Sequence, residues 1–175
     1  LASGEPPTTR GYTPSVFTML PRLLERAGRG PKDGSITGIY NVLVEGDDIH
    51  DPIADAVRGT VDGHIVLSRK LATHGHFPAI DILNSVSRLM SSVADPVHND
   101  AATTLRGIMA TWAENEELIR LGAYRVGTSP DVDRAIALQP KIETLLRQKA
   151  DESISPSETL ALMAELLKDL PSLSA

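Results

Sequence analysis

The sequence predicts an α/β segment followed by an all-α segment, and three observations carry this. A side-chain acceptor stands directly before a proline at Thr13-Pro14, Asp51-Pro52, Asp95-Pro96, Ser129-Pro130 and Ser155-Pro156. Such a residue caps a helix while the proline takes the first helical position, where its missing N–H costs nothing. Two runs, Ile36–Val44 and His64–Ser68, are apolar and β-branched and sit beside turn glycines, which marks strands. Beyond residue 94 no strand pattern remains.

The elements follow in order. Phe17, Leu20, Leu24 and Ala27 form a helical stripe that ends at Gly28 and Gly30. The run Ile36–Val44 comes next, bounded by Gly34 and Gly46. A helix starts at Pro52, and a second strand follows the turn pair Asp62-Gly63. A further helix and a short strand near Ala79–Ile82 complete the alternation that defines α/β. Near-continuous apolar character points to a mostly parallel sheet covered by helices on both faces.

The later stripes are helical throughout. Leu105, Ile108, Met109, Trp112 and Ile119 form one that stops at Gly122. Val132, Ala135, Ile136, Ile142, Leu145 and Leu146 form another, expected to kink or split near Pro140. Leu160, Met163, Leu167 and Leu170 form the last, introduced by the capping box Ser155-x-x-Glu158. Pro171–Ala175 reads as a frayed tail. A boundary near Ser91–Pro96 divides the chain into segments 1–93 and 94–175. Two strands and a weak third fall short of the usual sheet of about five, the first hint of a piece of a larger fold.

Composition narrows the functions. The chain has 175 residues, 41% hydrophobic and 23% charged, with net charge −6 and no Cys. It therefore has no disulfide scaffold, no Cys-ligated zinc and no Cys nucleophile. No run approaches the ~18 consecutive apolar residues of a membrane-spanning helix. The acidity argues against a broad nucleic-acid footprint, and one Trp, three Tyr and two Phe are too few for a base-stacking platform. The opening Leu1-Ala2-Ser3-Gly4 has neither a Met nor a leader pattern and reads like the middle of a longer protein.

Four places could carry chemistry. His50, His64, His74 and His76 with Asp47, Asp48 and Asp51 offer metal-ligating types, although Gly75 and Pro78 make the histidine segment a turn and surface histidines are the simpler reading. Glu45–Pro52 holds four carboxylates between a strand and a helix, where partners and ligands of open α/β sheets bind. The alternative there is a solvated turn with Asp51 as helix cap. Gly28-x-Gly30-Pro31-Lys32-Asp33-Gly34 is a weak phosphate cradle, since it follows a helix and no Ser or Thr follows its Lys. Arg88, just past the third strand in a small and apolar segment, has the fork that suits phosphate oxygens; a structural arginine is the other reading.

Taken together, the residues resemble a family. Ala2–Phe17, Gly34-Ser35-Ile36-Thr37, Glu45-Gly46-Asp47-Asp48 through Asp55, Asp62–Arg69, and Phe77-Pro78-Ala79-Ile80-Asp81 leading to Ser85-Val86-Ser87-Arg88 are similar to stretches of the flagellar export ATPase and its injectisome (type III secretion) relatives. These homohexameric proteins are related to the catalytic head of the rotary ATP synthase. Leu118–Tyr124 and Asp133–Ile136 match more loosely, and Gly122-Ala123-Tyr124 resembles the flagellar branch more than the injectisome one. The resemblance runs the length of the chain but covers only the C-terminal part of a family member. Members carry the barrel, P-loop, catalytic glutamate and Mg²⁺-associated acidic strand upstream.

The resemblance implies the C-terminal portion of a RecA-like P-loop ATPase domain in 1–93 and a helical domain in 94–175. It implies ATP and Mg²⁺ as cofactors, held mainly by the upstream part, and a fragment that is inactive alone. Phe77 falls where the family packs an aromatic against adenine. Arg88 falls on the arginine finger that reaches the neighbouring protomer's γ-phosphate. Asp47, Asp48 and Asp51 fall on the loop that touches the central stalk in the rotary relatives. Implied partners are further copies in a homohexamer, a central stalk, a regulatory export protein and export chaperones, in the cytoplasm and peripheral to the inner-membrane export gate. Nucleic acid is not among them.

Two departures stand out. Tyr124, Arg125 and Gly127 replace the acidic run of the rotary relatives, so that stalk contact is not carried over. No aromatic lies between Gln148 and Ala175 to complete the adenine pocket. Two alternatives stay open: an injectisome ATPase, and, for the isolated segment, a non-catalytic module that binds a stalk or a chaperone.

Overall fold

A computed structural model describes residues 4–6, 11–48 and 50–168. Leu170, the tail 171–175, and residues 2, 3 and 7–10 of the first matching stretch lie outside the described residues. The elements are α1 (Pro14–Leu24), β1 (Gly28–Arg29), β2 (Ser35–Ile36), α2 (Pro52–Thr60), β3 (Gly63–Leu67), α3 (Arg69–Thr73), β4 (Ile80–Ser87), α4 (Met90–Val93), α5 (Pro96–Arg120), α6 (Pro130–Leu146) and α7 (Pro156–Leu167). They form two compact units, Leu1–His64 and Ile65–Ala175. Among the described residues no helix is long and apolar enough to cross a membrane.

All five acceptor–proline pairs begin helices, those of α1, α2, α5, α6 and α7. Asp51, Asp95 and Ser155 accept N–H bonds from the first turn. Thr13 and Ser129 hold the cap position without a side-chain bond to the helix N–H groups. In α7 the box closes both ways: Glu158 N–H donates to Ser155 Oγ at 3.2 Å, and Ser155 N–H donates to Glu158 Oε2 at 2.8 Å.

In the first unit α1 packs against α2, and Leu24, Ala54 and Val57 are buried. β1 and β2 form an antiparallel hairpin with Gly28 opposite Ile36, closed by Gly30 N–H to Gly34 O at 2.8 Å. The strand expected over Ile36–Val44 forms a ladder only at its first residue. Ile39 and Leu43 are 94% and 89% exposed. A strand needs neighbours to take its backbone groups and cover its faces, and no described strand pairs with residues 37–44. The expected parallel pairing is likewise not made within the described residues, which carry two separate two-stranded sheets.

In the second unit β3 pairs with β4. Ser68 N–H donates to Ala79 O, and Val66 N–H donates to Ser85 Oγ. The earlier residue thus meets the later partner, so the two strands run in opposite directions. The main core is helical. Ala101, Leu105 and Ile108 of α5 meet Ala135, Leu138 and Ile142 of α6 and Met163 of α7, the spacing of helix-on-helix packing. Of the expected kink or split, the split does not occur: α6 continues through Pro140. Pro140 is exposed, while Ala135, Leu138 and Ile142 keep the inner face. Helix α5 stops in a Schellman motif: Gly122 at φ 68° lets Ala123 N–H reach Leu118 O and Gly122 N–H reach Ile119 O.

Candidate functional site

Phe77 stands on the loop between α3 and β4. Two backbone bonds fix the loop: His76 N–H donates to Leu71 O at 3.0 Å, and Gln148 N–H donates to Phe77 O at 2.9 Å. The main chain is held while the ring stays out, 55% exposed. An exposed ring on an anchored backbone is a ready stacking face. Its neighbours His76 and Pro78 line an apolar cavity of about 210 Å³, together with Ile80, Leu145, Ile154 and Leu162 among others. Phe77 itself is not among the residues that line the cavity.

Arg88 directly follows the last residue of β4 and is exposed. The strand before it is not straight. Ser85 Oγ donates to Asp81 O at 2.5 Å, although residues four apart in a straight strand are separated by about 13 Å. Asp81 also accepts from Asn84 N–H and Nδ2 at 3.0 and 2.8 Å. Asp81–Ser85 is thus a bonded bend. Buried Ser85 is its hub, since Arg106 Nη2 of α5 also donates to Ser85 O at 3.0 Å. Neither Ser85 nor Arg106 stood out in the sequence. Arg106 lies beside Leu105 on a helical stripe, and nothing local shows that it faces a strand twenty residues upstream.

The acidic loop lies in the first unit. Glu45–Asp47 forms a single 3-10 turn around Gly46, whose φ of 61° suits glycine. Asp48 Oδ1 accepts from His50 N–H at 2.8 Å. Asp51 is buried, and its Oδ1 accepts from Ile53 and Ala54 N–H at 2.9 and 3.1 Å. Asp51 therefore serves the start of α2.

Two sequence candidates take other roles. The glycine-rich loop Gly28–Gly34 is the turn of the β1–β2 hairpin. Among the described residues no group of three His, Cys, Asp or Glu side chains could hold a metal ion, so no Mg²⁺ chemistry is derived from them. His74 Nδ1 instead lies 2.7 Å from Lys70 O.

Tyr124 organises the turn between α5 and α6. Its hydroxyl lies 3.0 Å from both Ser129 O and Asp133 Oδ1, which share its one proton, and it accepts from Ser129 N–H at 3.1 Å. Asp133 Oδ2 takes Gly127 N–H at 2.8 Å. Burial raises the phenol above its ordinary value of 10.0; the Ser129 backbone bond opposes this, and the Asp133 hydrogen bond and charge add to it.

Residues 1–87 match the family model of the ATP synthase alpha/beta family, nucleotide-binding domain, and residues 94–165 match that of the T3SS EscN ATPase C-terminal domain. The chain is 51% identical over 166 residues to the flagellum-specific ATP synthase of Bacillus subtilis (strain 168), covering 95% of this chain and 38% of that one. It is 53% identical over 166 residues to the type 3 secretion system ATPase of Sinorhizobium fredii (strain NBRC 101917 / NGR234), covering 95% and 37%. The assembled ATPase EscN of the enteropathogenic E. coli type III secretion system superposes with a TM-score of 0.90 at 46% identity, over 95% of this chain and 40% of that one. EscN in complex with its central stalk EscO superposes with a TM-score of 0.83 at 44% identity, over 95% and 39%.

Proposed function

The chain belongs to the family of flagellar-export and type III secretion ATPases, related to the ATP synthase alpha/beta subunits, and from that premise we propose that it is the C-terminal part of the ATPase that energises flagellar protein export. It spans 38% and 37% of the length of the two relatives above. In this reading residues 1–93 end the RecA-like domain and 94–175 form the helical domain, a division supported by the separate family matches to 1–87 and 94–165. The complete protein hydrolyses ATP with Mg²⁺ in a homohexameric ring on the cytoplasmic side of the export gate. This segment alone, with no P-loop motif, does not.

The observation that carries the reading is the pair of groups flanking β4. Phe77 holds its ring exposed at one end, between two residues, His76 and Pro78, that line an apolar cavity, and Arg88 stands exposed at the other. Phe77 packs on the adenine of ATP bound to its own protomer. Arg88 reaches the γ-phosphate held by the next protomer, where an arginine supplied in trans stabilises phosphoryl transfer. Asp47 and Asp48 meet a basic face of the stalk; the complex of EscN with its central stalk supports a stalk partner. A regulatory export protein and chaperones are further partners. Mixing Arg88→Ala subunits with P-loop-dead subunits of the full-length protein tests the reading. Recovered turnover in mixed rings, where an intact site meets an intact Arg88, is expected. No recovery at any mixing ratio sinks the trans assignment.

An injectisome ATPase is the second reading. It is favoured by the match of residues 94–165 to the EscN C-terminal domain and by 53% identity to a type 3 secretion ATPase. The chemistry is unchanged, and rescue of motility against rescue of effector secretion in deletion strains separates the two.

A further inference from the structure

We infer that Arg106 is a positioning residue that holds the β4 terminus bearing Arg88, coupling the helical core to the reach of the finger. The inference rests on the reading of Arg88 given above. Leu105 and Ile108 are buried in the α5–α6–α7 core, and this locks the rotation of α5. One residue on from Leu105, about 100° around the helix, Arg106 leaves that face and its Nη2 donates to Ser85 O at 3.0 Å. Ser85 lies three residues before Arg88, about 10 Å of extended chain.

The bond matters because of how β4 ends. Val66 N–H of β3 meets the Ser85 hydroxyl rather than a backbone oxygen. That hydroxyl in turn bonds Asp81 O and holds the bend. Past Ser85, Val86, Ser87 and Arg88 are exposed. Ser85 is therefore the last buried point before the finger, and Arg106 is the tie that joins it to the helical core. A charged donor on a carbonyl is among the stronger hydrogen bonds. A finger must sit within about 0.5 Å of its productive position, so loosening its base lowers turnover without touching the nucleotide.

The test uses the full-length protein with Arg106→Met, which keeps an apolar stem and removes the donors, and Arg106→Lys, which keeps one charged donor. Thermal melting of each variant is measured beside kcat and KM for ATP. Expected is a kcat about 10- to 100-fold lower for Arg106→Met, the scale of a misplacement of about 1 Å, with KM within about 2-fold and partial rescue by Arg106→Lys. In an Arg88→Ala background, Arg106→Met should lower kcat no further, because both act through one group. An equal additional loss in that background would overturn the proposal, as would unchanged kcat for Arg106→Met. If Arg106→Met does not fold, the same comparison with Arg106→Lys decides. Normal turnover of Arg88→Ala itself would instead remove the reading of the site on which the proposal stands.

Discussion

The backbone carbonyl of Phe77 accepts the N–H of Gln148 at 2.9 Å. The loop that presents the aromatic ring is thereby tied to the chain just after α6, while the ring itself stays exposed. Anchored backbone and free ring are the combination that stacking needs, since little ordering remains to be done on binding. Phe77→Ala in the full-length protein is expected to raise KM for ATP roughly 10-fold, about 1.4 kcal/mol, and to leave kcat near normal. Phe77→Tyr keeps the face and should stay within about 2-fold. Steady-state kinetics check both.

Arg88→Ala should lower kcat of the full-length ring by about 10³-fold or more. Nucleotide affinity, read with a fluorescent ATP analogue, should hardly change. A large loss of binding with preserved turnover would assign Arg88 to the protomer's own site or to structure.

The three loop aspartates should separate cleanly. Asp51→Ala removes the cap of α2 and is expected to cost about 0.5–2 kcal/mol of stability in denaturant unfolding. The double change Asp47→Asn with Asp48→Asn, in which the amide at position 48 keeps an oxygen for the His50 N–H, should weaken capture of the central stalk, measured by titration with the purified stalk protein.

Ile142, 1% exposed, lies at the centre of the helical core. Truncation to Ala removes buried methyl groups and leaves a cavity, with an expected loss of about 2–5 kcal/mol in urea unfolding. Ala135 is fully buried, so Ala135→Leu should also destabilise, by about 1–3 kcal/mol through overpacking.

Glu158 carries a pH signature. Its side-chain and backbone hydrogen bonds with Ser155 hold its carboxyl below the ordinary value of 4.5. A folded-state value below the unfolded one contributes stability that is present above the unfolded value and is lost as pH falls through the folded one. The melting-temperature gap between the unsubstituted chain and Glu158→Ala should therefore persist at neutral pH and shrink as pH falls below 4.5. A gap that widened in acid would refute the assignment.

Much of the fold was legible for local reasons. A cap and the proline after it act within one helical turn, so each of the five pairs marked a real helix start. The box at Ser155 and Glu158 and the stop at Gly122 belong to the same class. The cap role of Asp51 was also visible, through its place before Pro52, while Phe77 was proposed through resemblance and Arg88 through its segment and resemblance together. Ser85 and Arg106 carried no such signal, because a Ser in a small-residue strand and an Arg on a helix are common everywhere.

By itself, then, the sequence determined where helices begin and end, which faces they bury, and the family to which the chain belongs. Those properties follow from neighbours a few residues apart and from ordered motifs. The tertiary structure decided what depends on distant partners: that residues 37–44 stay unpaired within the described chain, that α6 runs through Pro140, and that the acidic loop uses Asp51 for its own helix. It also decided that Arg106 meets Ser85. Backbone groups and guanidinium forks bond whatever the fold brings within reach, and no local pattern encodes that.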